Sequence, residues 1–218
     1  MYGLVNQAIR GFICQQYGQV QWSRIVEEAD VAEEGFVCSL NHDDQITYRL
    51  FTIAASELNL SEDCLIESVG KFWTTHLVAE QFGPLMGLTG ESLIDFLHNL
   101  DNLHARLGMA FPELNPPSFH IEPVADDQVK LHYRSNRRGL TPLARGLLQG
   151  FAEHFGVALR MTEDQSAANT TTFAIQILHD PTGTRTAPRS ASPWKTADAK
   201  DEQTIDFATW VLSQGIDL

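Results

Sequence analysis

"FHIEPVADDQVKLHYRSNRRGL", residues 119–140, is the stretch where the chain changes its hydrophobic period. Apolar and polar residues alternate in "FHIEPV" and again in "QVKLHYRS", which is the pattern of strands with one buried face. The "ADDQ" between them predicts a hairpin turn. Upstream the apolar spacing is helical; downstream come one helix and two further strands. This stretch therefore decides the fold class, α+β.

Toward the N-terminus, Leu4, Val5, Ala8, Ile9, Phe12 and Ile13 recur at helical spacing and predict a helix over 3–17. A second is predicted over 46–58. A third starts after Ser61 as N-cap, with Glu62 and Asp63 in its first turn, where acidic groups suit the helix dipole. "ESLIDFLHNLDNLHARLGMAF" predicts a long helix over 91–111, stopped by Pro112. Toward the C-terminus, "GLTPLARGLLQGFAEHFG" reads as a helix with Thr141 as N-cap, Pro142 at the first helical position and Gly156 just past the end. "VALRMTE" and "TTFAIQIL" complete the strands. The expected architecture is a helical N-terminal part and a four-stranded antiparallel sheet with a helix inserted. From Asp180 the chain is rich in Pro, Ser, Thr and Ala and reads as a linker, with "TIDFATWVLSQG" as a short amphipathic helix.

The 218 residues are 43% apolar and 20% charged, ordinary for a globular protein with a sizeable core. A formal net charge of −13 argues against nucleic acid as the main partner. Arg134, Arg137, Arg138 and Arg145 nevertheless cluster locally, which suggests one small anion. Cys14, Cys38 and Cys64 form no CxxC pair, so neither a zinc site nor a disulfide framework is expected. "MYGLVNQAIRGFICQQYG" lacks a basic leader and a long apolar core, and no apolar run approaches the ~18 residues of a membrane span. The expectation is a soluble, cytoplasmic protein with no membrane insertion.

Eight histidines compete for attention. On the helix over 91–111, at about 100° per residue, Leu93, Leu97, Leu100, Leu107 and Phe111 form one stripe, and His104 sits at its centre. His98 lies off it. A histidine on such a face is either a core residue bonded to a backbone carbonyl or an axial haem ligand, since haem takes a neutral imidazole from an apolar slot. Tyr133, Ser135 and Arg137 sit at alternate positions and continue the face begun by Val129 and Leu131. They are either a solvated strand edge or a clamp for an anion at the rim of an apolar molecule. Haem, with two propionates on one edge of a flat macrocycle, has that shape.

With "MYGLVN", "NLDNLHARLG", "NPPSF" and "YRSNRRGL" in this order, residues 1–180 resemble the H-NOX family, the haem-nitric oxide/oxygen binding domains related to the sensor part of soluble guanylate cyclase. The tail, 181–218, lies beyond the resemblance. It implies haem b buried between the helical part and the sheet, with His104 as proximal iron ligand. By the same resemblance Tyr133, Ser135 and Arg137 hold the propionates, and Pro117 packs against the porphyrin. The gas pocket falls to Val5, Ile9, Trp73 and Leu77. Oxygen-binding members carry a distal tyrosine where this chain has Pro142, which has neither hydroxyl nor N–H to donate. The resemblance therefore implies a nitric oxide sensor rather than an enzyme, signalling to a histidine kinase or a cyclic-di-GMP enzyme as bacterial stand-alone members do. The rival readings are an oxygen- or carbon monoxide-binding haem protein, a peroxidase-like enzyme, and a module that keeps the fold without haem. A peroxidase wants a distal acid–base group; the nearest histidine, His76, is one position before Leu77 and about 60° off Trp73 around a helix.

Overall fold

Helix α1, Gly3–Tyr17, buries Val5, Ala8, Ile9 and Ile13 on one face, as their spacing predicts. The computed structural model describes residues 3–32, 36, 41–78, 92–110, 115–167 and 169–178, so Cys38 and the tail from 179, with its amphipathic segment, lie outside the described residues. A second helix, α2, Gln19–Glu28, follows after a single residue; the sequence reading missed it. Its buried residues, Trp22, Ile25 and Val26, do carry helical spacing, but over only ten residues. Helix α3, Asp44–Leu58, is capped by Asp43, whose carboxylate accepts from the Gln45 amide at 2.9 Å. Helix α4, Glu62–Phe72, starts as expected: the Ser61 hydroxyl accepts from the Cys64 amide at 3.2 Å.

The end of α4 widens into a π-helical segment, Trp73–Val78. Thr74 and Thr75 both donate their hydroxyls to the Lys71 carbonyl at 3.0 Å, competing with the regular backbone ladder. Helix α5, Leu93–Ala110, is the long helix predicted over 91–111. Ser92 caps it by accepting from the Asp95 amide at 3.2 Å.

Four strands, β1 Ser118–Ala125, β2 Gln128–Arg134, β3 Ala158–Ala167 and β4 Thr170–Leu178, form an antiparallel sheet of order β1-β2-β4-β3. Helix α6, Thr141–His154, runs between β2 and β3. Its N-cap is Leu140, without a side-chain bond, so Thr141 is already the first helical residue and Pro142 the second. The Thr141 hydroxyl pairs instead with Thr171 of β4 at 3.3 Å: a strand neighbour has drawn it from the capping position. Gly156 follows the helix at φ +67°, as a glycine past a C-terminus should.

The chain thus has the α+β architecture expected, and the described residues form two apolar cores. One joins α1 to α4; the other joins α5 to the inner sheet face, where Leu131, Tyr133, Phe173 and Ile175 are buried. Helix α6 separates them. Leu143 packs into the helical core, Ala144, Leu148 and Phe151 into the sheet core, and Leu147 touches both. Close packing of α6 on α4 depends on glycine. A methyl on Gly70 would overlap the Leu143 carbonyl, and one on Gly146 the Glu67 carbonyl.

Candidate cofactor site

Helix α5 carries His104 on the stripe that begins with buried Leu93, Leu97 and Leu100. Its ring is mostly buried, with its centroid 5.7 Å from that of Phe119 on β1. Nδ1 is sealed from solvent and has no hydrogen-bond partner. Burial pushes the imidazole below its ordinary range, outweighing the Asp101 carboxylate and the Pro117 carbonyl, which both pull it up. The ring is therefore neutral at neutral pH, the form that binds a metal. One turn earlier on α5, Asp101 accepts from the Phe119 amide at 2.8 Å and ties the helix to the start of β1. Pro117, half-buried, stands immediately before that strand.

Tyr133 is 6% exposed on β2, its ring centroid 5.5 Å from that of Phe119 and 6.3 Å from that of Phe173. Burial raises its phenol against the opposing effects of the Ser135 hydroxyl and the Arg137 charge, so it remains a proton donor. Strand β2 ends at Arg134, so Ser135 and Arg137 do not continue the strand face as the alternation suggested. The Ser135 hydroxyl accepts from the Arg137 amide at 3.1 Å, forming a local turn. That turn, rather than strand alternation, carries Arg137 beyond Tyr133. The Arg137 side chain donates from Nε to Asp44 at 2.9 Å and from Nη1 to the Asn115 carbonyl at 2.7 Å. Neither partner was legible in the sequence.

Across the molecule, Val5 and Ile9 of α1 lie in the helical core, and Trp73 packs against that core. Trp73 Nε1 is buried and has no partner. Pro142 is buried in the first turn of α6. The α6 residues that join the core of Val5 and Ile9 are Leu143 and Leu147, which the sequence reading passed over. Their one-turn spacing, about 100° around the helix from Ala144 and Leu148, was the available signal. Leu77 falls within the π-helical segment, but its side chain lies outside the described residues. His76 stacks on Phe72 with centroids 4.4 Å apart, and its ring nitrogens engage Gln15 and Thr75.

Among the described residues no cluster of three His, Cys, Asp or Glu groups could cage a metal ion. His104 alone offers one ligand, so a metal there must bring its others with it, as a tetrapyrrole does. A family model described as haem-NO-binding matches residues 2–163.

The chain belongs to the haem-NO-binding family.

Domains of this family bind haem and sense gases, and this chain carries such a sensor domain in the H-NOX fold. It is 32% identical to the soluble guanylate cyclase gcy-37 of Caenorhabditis elegans over 152 residues, 68% of this chain and 22% of that protein. With gcy-31 of the same organism it shares 29% identity, over 70% of this chain and 22% of the other. The chain thus spans about a fifth of the length of these relatives. Among solved structures, an H-NOX protein from S. oneidensis in the Fe(II)NO state superposes with a TM-score of 0.73 at 19% identity, covering 82% of this chain and all of the other. The unliganded Fe(II) H-NOX protein from K. algicida gives 0.73 at 16% identity, covering 83% and 98%.

The residues present fit haem. A neutral, buried imidazole with an unmatched nitrogen projects from α5. Tyr133, Ser135 and Arg137 offer donors at the end of an apolar sheet face, and among the described residues no helix is long and apolar enough to cross a membrane.

Proposed function

We propose that this chain senses nitric oxide at a ferrous haem b. His104 holds the iron, Tyr133, Ser135 and Arg137 hold the propionates, and Pro117 packs against the macrocycle. The observation that carries the choice of gas is the apolar character of the helical core on the α1 and α6 side. Val5, Ile9, Leu143 and Leu147 offer no donor, and Pro142 at the start of α6 offers none either. Bound dioxygen gains much from a distal hydrogen bond, whereas nitric oxide needs little help. Pro142, where oxygen-binding members carry a distal tyrosine, has neither hydroxyl nor N–H to donate.

Haem, held through His104, would supply a ferrous iron able to take a diatomic gas. The chain provides the response. His104 is kept neutral by burial, and its helix is coupled to β1 through Asp101 and the Phe119 amide. A change in the pull on His104 therefore reaches α5, Pro117 and the head of β1 together, which supplies the differential contact that a switch requires.

The partner proposed is a histidine kinase or a cyclic-di-GMP enzyme; the guanylate cyclase relatives make a cyclase output the alternative. A sensor role rather than catalysis suits His76, whose ring nitrogens are spent on Gln15 and Thr75. One observation favours a second reading. The unmatched Trp73 N–H is a donor in the helical core, and it would suit an oxygen- or carbon monoxide-binding protein. Absorption spectra of the ferrous protein under nitric oxide and then under air separate the two. Nitric oxide binding with no oxygen complex is expected; a stable oxygen complex would overturn the gas assignment, and a chain without a Soret band the cofactor.

A further inference from the structure

Arg137 stands in a turn on the sheet side of the molecule, yet its guanidinium is held from the helical side. Asp44, the first residue of α3, accepts from Nε at 2.9 Å, with both side chains substantially buried at 21% and 35% exposure. The Asn115 carbonyl, in the segment just before β1, accepts from Nη1 at 2.7 Å. These bonds use Nε and one hydrogen of Nη1. They leave Nη2 and the second hydrogen of Nη1, the free end, for a carboxylate. One turn further along α3, Tyr48 donates its hydroxyl to the Arg138 carbonyl at 3.0 Å. Helix α3 therefore grips the turn twice, by the head of Arg137 and by the backbone of the next residue.

We infer that Asp44 and Tyr48 make α3 the positioning element of the propionate clamp. Asp44 aims the free end of Arg137 at the carboxylate edge of the cofactor, and α3 couples that edge to the helical half. The inference rests on the haem reading above. An arginine loses much side-chain freedom when it binds. A partner that has already fixed Nε lowers that cost before the carboxylate arrives, so the benefit falls on cofactor retention. The opposing effect is repulsion between the Asp44 carboxylate and a propionate. Asp44 bonds Nε rather than a terminal nitrogen, and at 35% exposure of its side chain solvent screens the repulsion.

The test is haem release from purified holoprotein to an excess of apomyoglobin, followed at the Soret band. Asp44→Ala is expected to release haem about tenfold faster, the scale of one lost charge-assisted contact. Asp44→Glu should recover part of the loss, and Tyr48→Phe should speed release by about twofold to fivefold, the scale of a neutral hydrogen bond. In an Arg137→Ala background, Asp44→Ala should add less than about twofold, because its effect passes through the arginine. Should Asp44→Ala fail to fold, Asp44→Asn, which keeps shape and removes charge, carries the same comparison. Unchanged release in Asp44→Ala overturns the inference. Slower release overturns it too, since Asp44 would then be competing with the carboxylate. An equal acceleration with and without Arg137 would reduce Asp44 to a support of α3. A parent protein that binds no haem would sink the cofactor reading itself, a result distinct from all of these.

Discussion

The contact between α4 and α6 can be tested with a single methyl group. A Cβ on Gly146 would fall on the Glu67 carbonyl and against the Lys71 amide, both backbone atoms of α4. Backbone cannot swing aside as the tip of a long side chain can, so Gly146→Ala must push the helices apart. The separation would strain the contacts that Glu67 makes with Arg145 Nη1 at 2.6 Å and Gln149 Nε2 at 2.7 Å. Overpacking of this kind costs about 1–3 kcal/mol. Against it stands the higher helix propensity of alanine, about 1 kcal/mol. The net loss should be up to about 2 kcal/mol, a fall in Tm of up to about 8 °C for a chain of this size. Gly108 on α5 provides the contrast, because a Cβ there would meet nothing within 4 Å. Gly108→Ala keeps the propensity gain alone and should raise Tm by about 2–4 °C. Circular dichroism melts of the two variants and the parent, prepared identically, decide the matter. If Gly146→Ala gains as much in Tm as Gly108→Ala, the close approach of α4 and α6 is not what constrains position 146.

Asp101→Ala should destabilise the protein by about 1.5–3 kcal/mol, since it leaves the Phe119 amide without its charged acceptor; Asp101→Asn should recover part of this, as read from urea midpoints. Acid should weaken the haem-free protein. His104 and His154 are both held below their ordinary range by burial, so the unfolded chain takes up protons that the folded chain refuses. Their contribution is fully present above about pH 6.5 and is lost as the pH falls toward their lower folded values. The urea midpoint should drop between about pH 7.5 and 5.5, and drop less in His104→Gln; an equal drop in that variant would remove His104 from the account. Trp73→Phe removes the unmatched indole N–H and should leave the nitric oxide dissociation rate within about twofold, the scale of a contact that makes no strong hydrogen bond. A tenfold change would mean that the indole donates to the bound gas.

Much of this fold is written in local patterns. The 3.6-residue spacing of α1, α3, α4, α5 and α6, the alternation in the four strands and the place of His104 on its stripe are properties of short segments, and they survive folding unchanged. Helix α2 escaped because ten residues carry too few repeats to stand out. The N-cap of α6 escaped because Thr141 found a partner on β4, thirty residues away. Tyr133, Ser135 and Arg137 were legible as a row of donors, yet alternation predicted a straight face where the Ser135 hydroxyl makes a turn.

Chemistry and period along the chain sufficed for the fold class, the imidazole and the row of donors. Only tertiary packing decided what holds each of them. Asp44 reaches Arg137 across 93 positions, and Leu143 of α6 joins the core that holds Val5 and Ile9. A side chain's residue type fixes what it can bond, but long-range closure of the chain fixes which partner is within reach, and no local period encodes that distance.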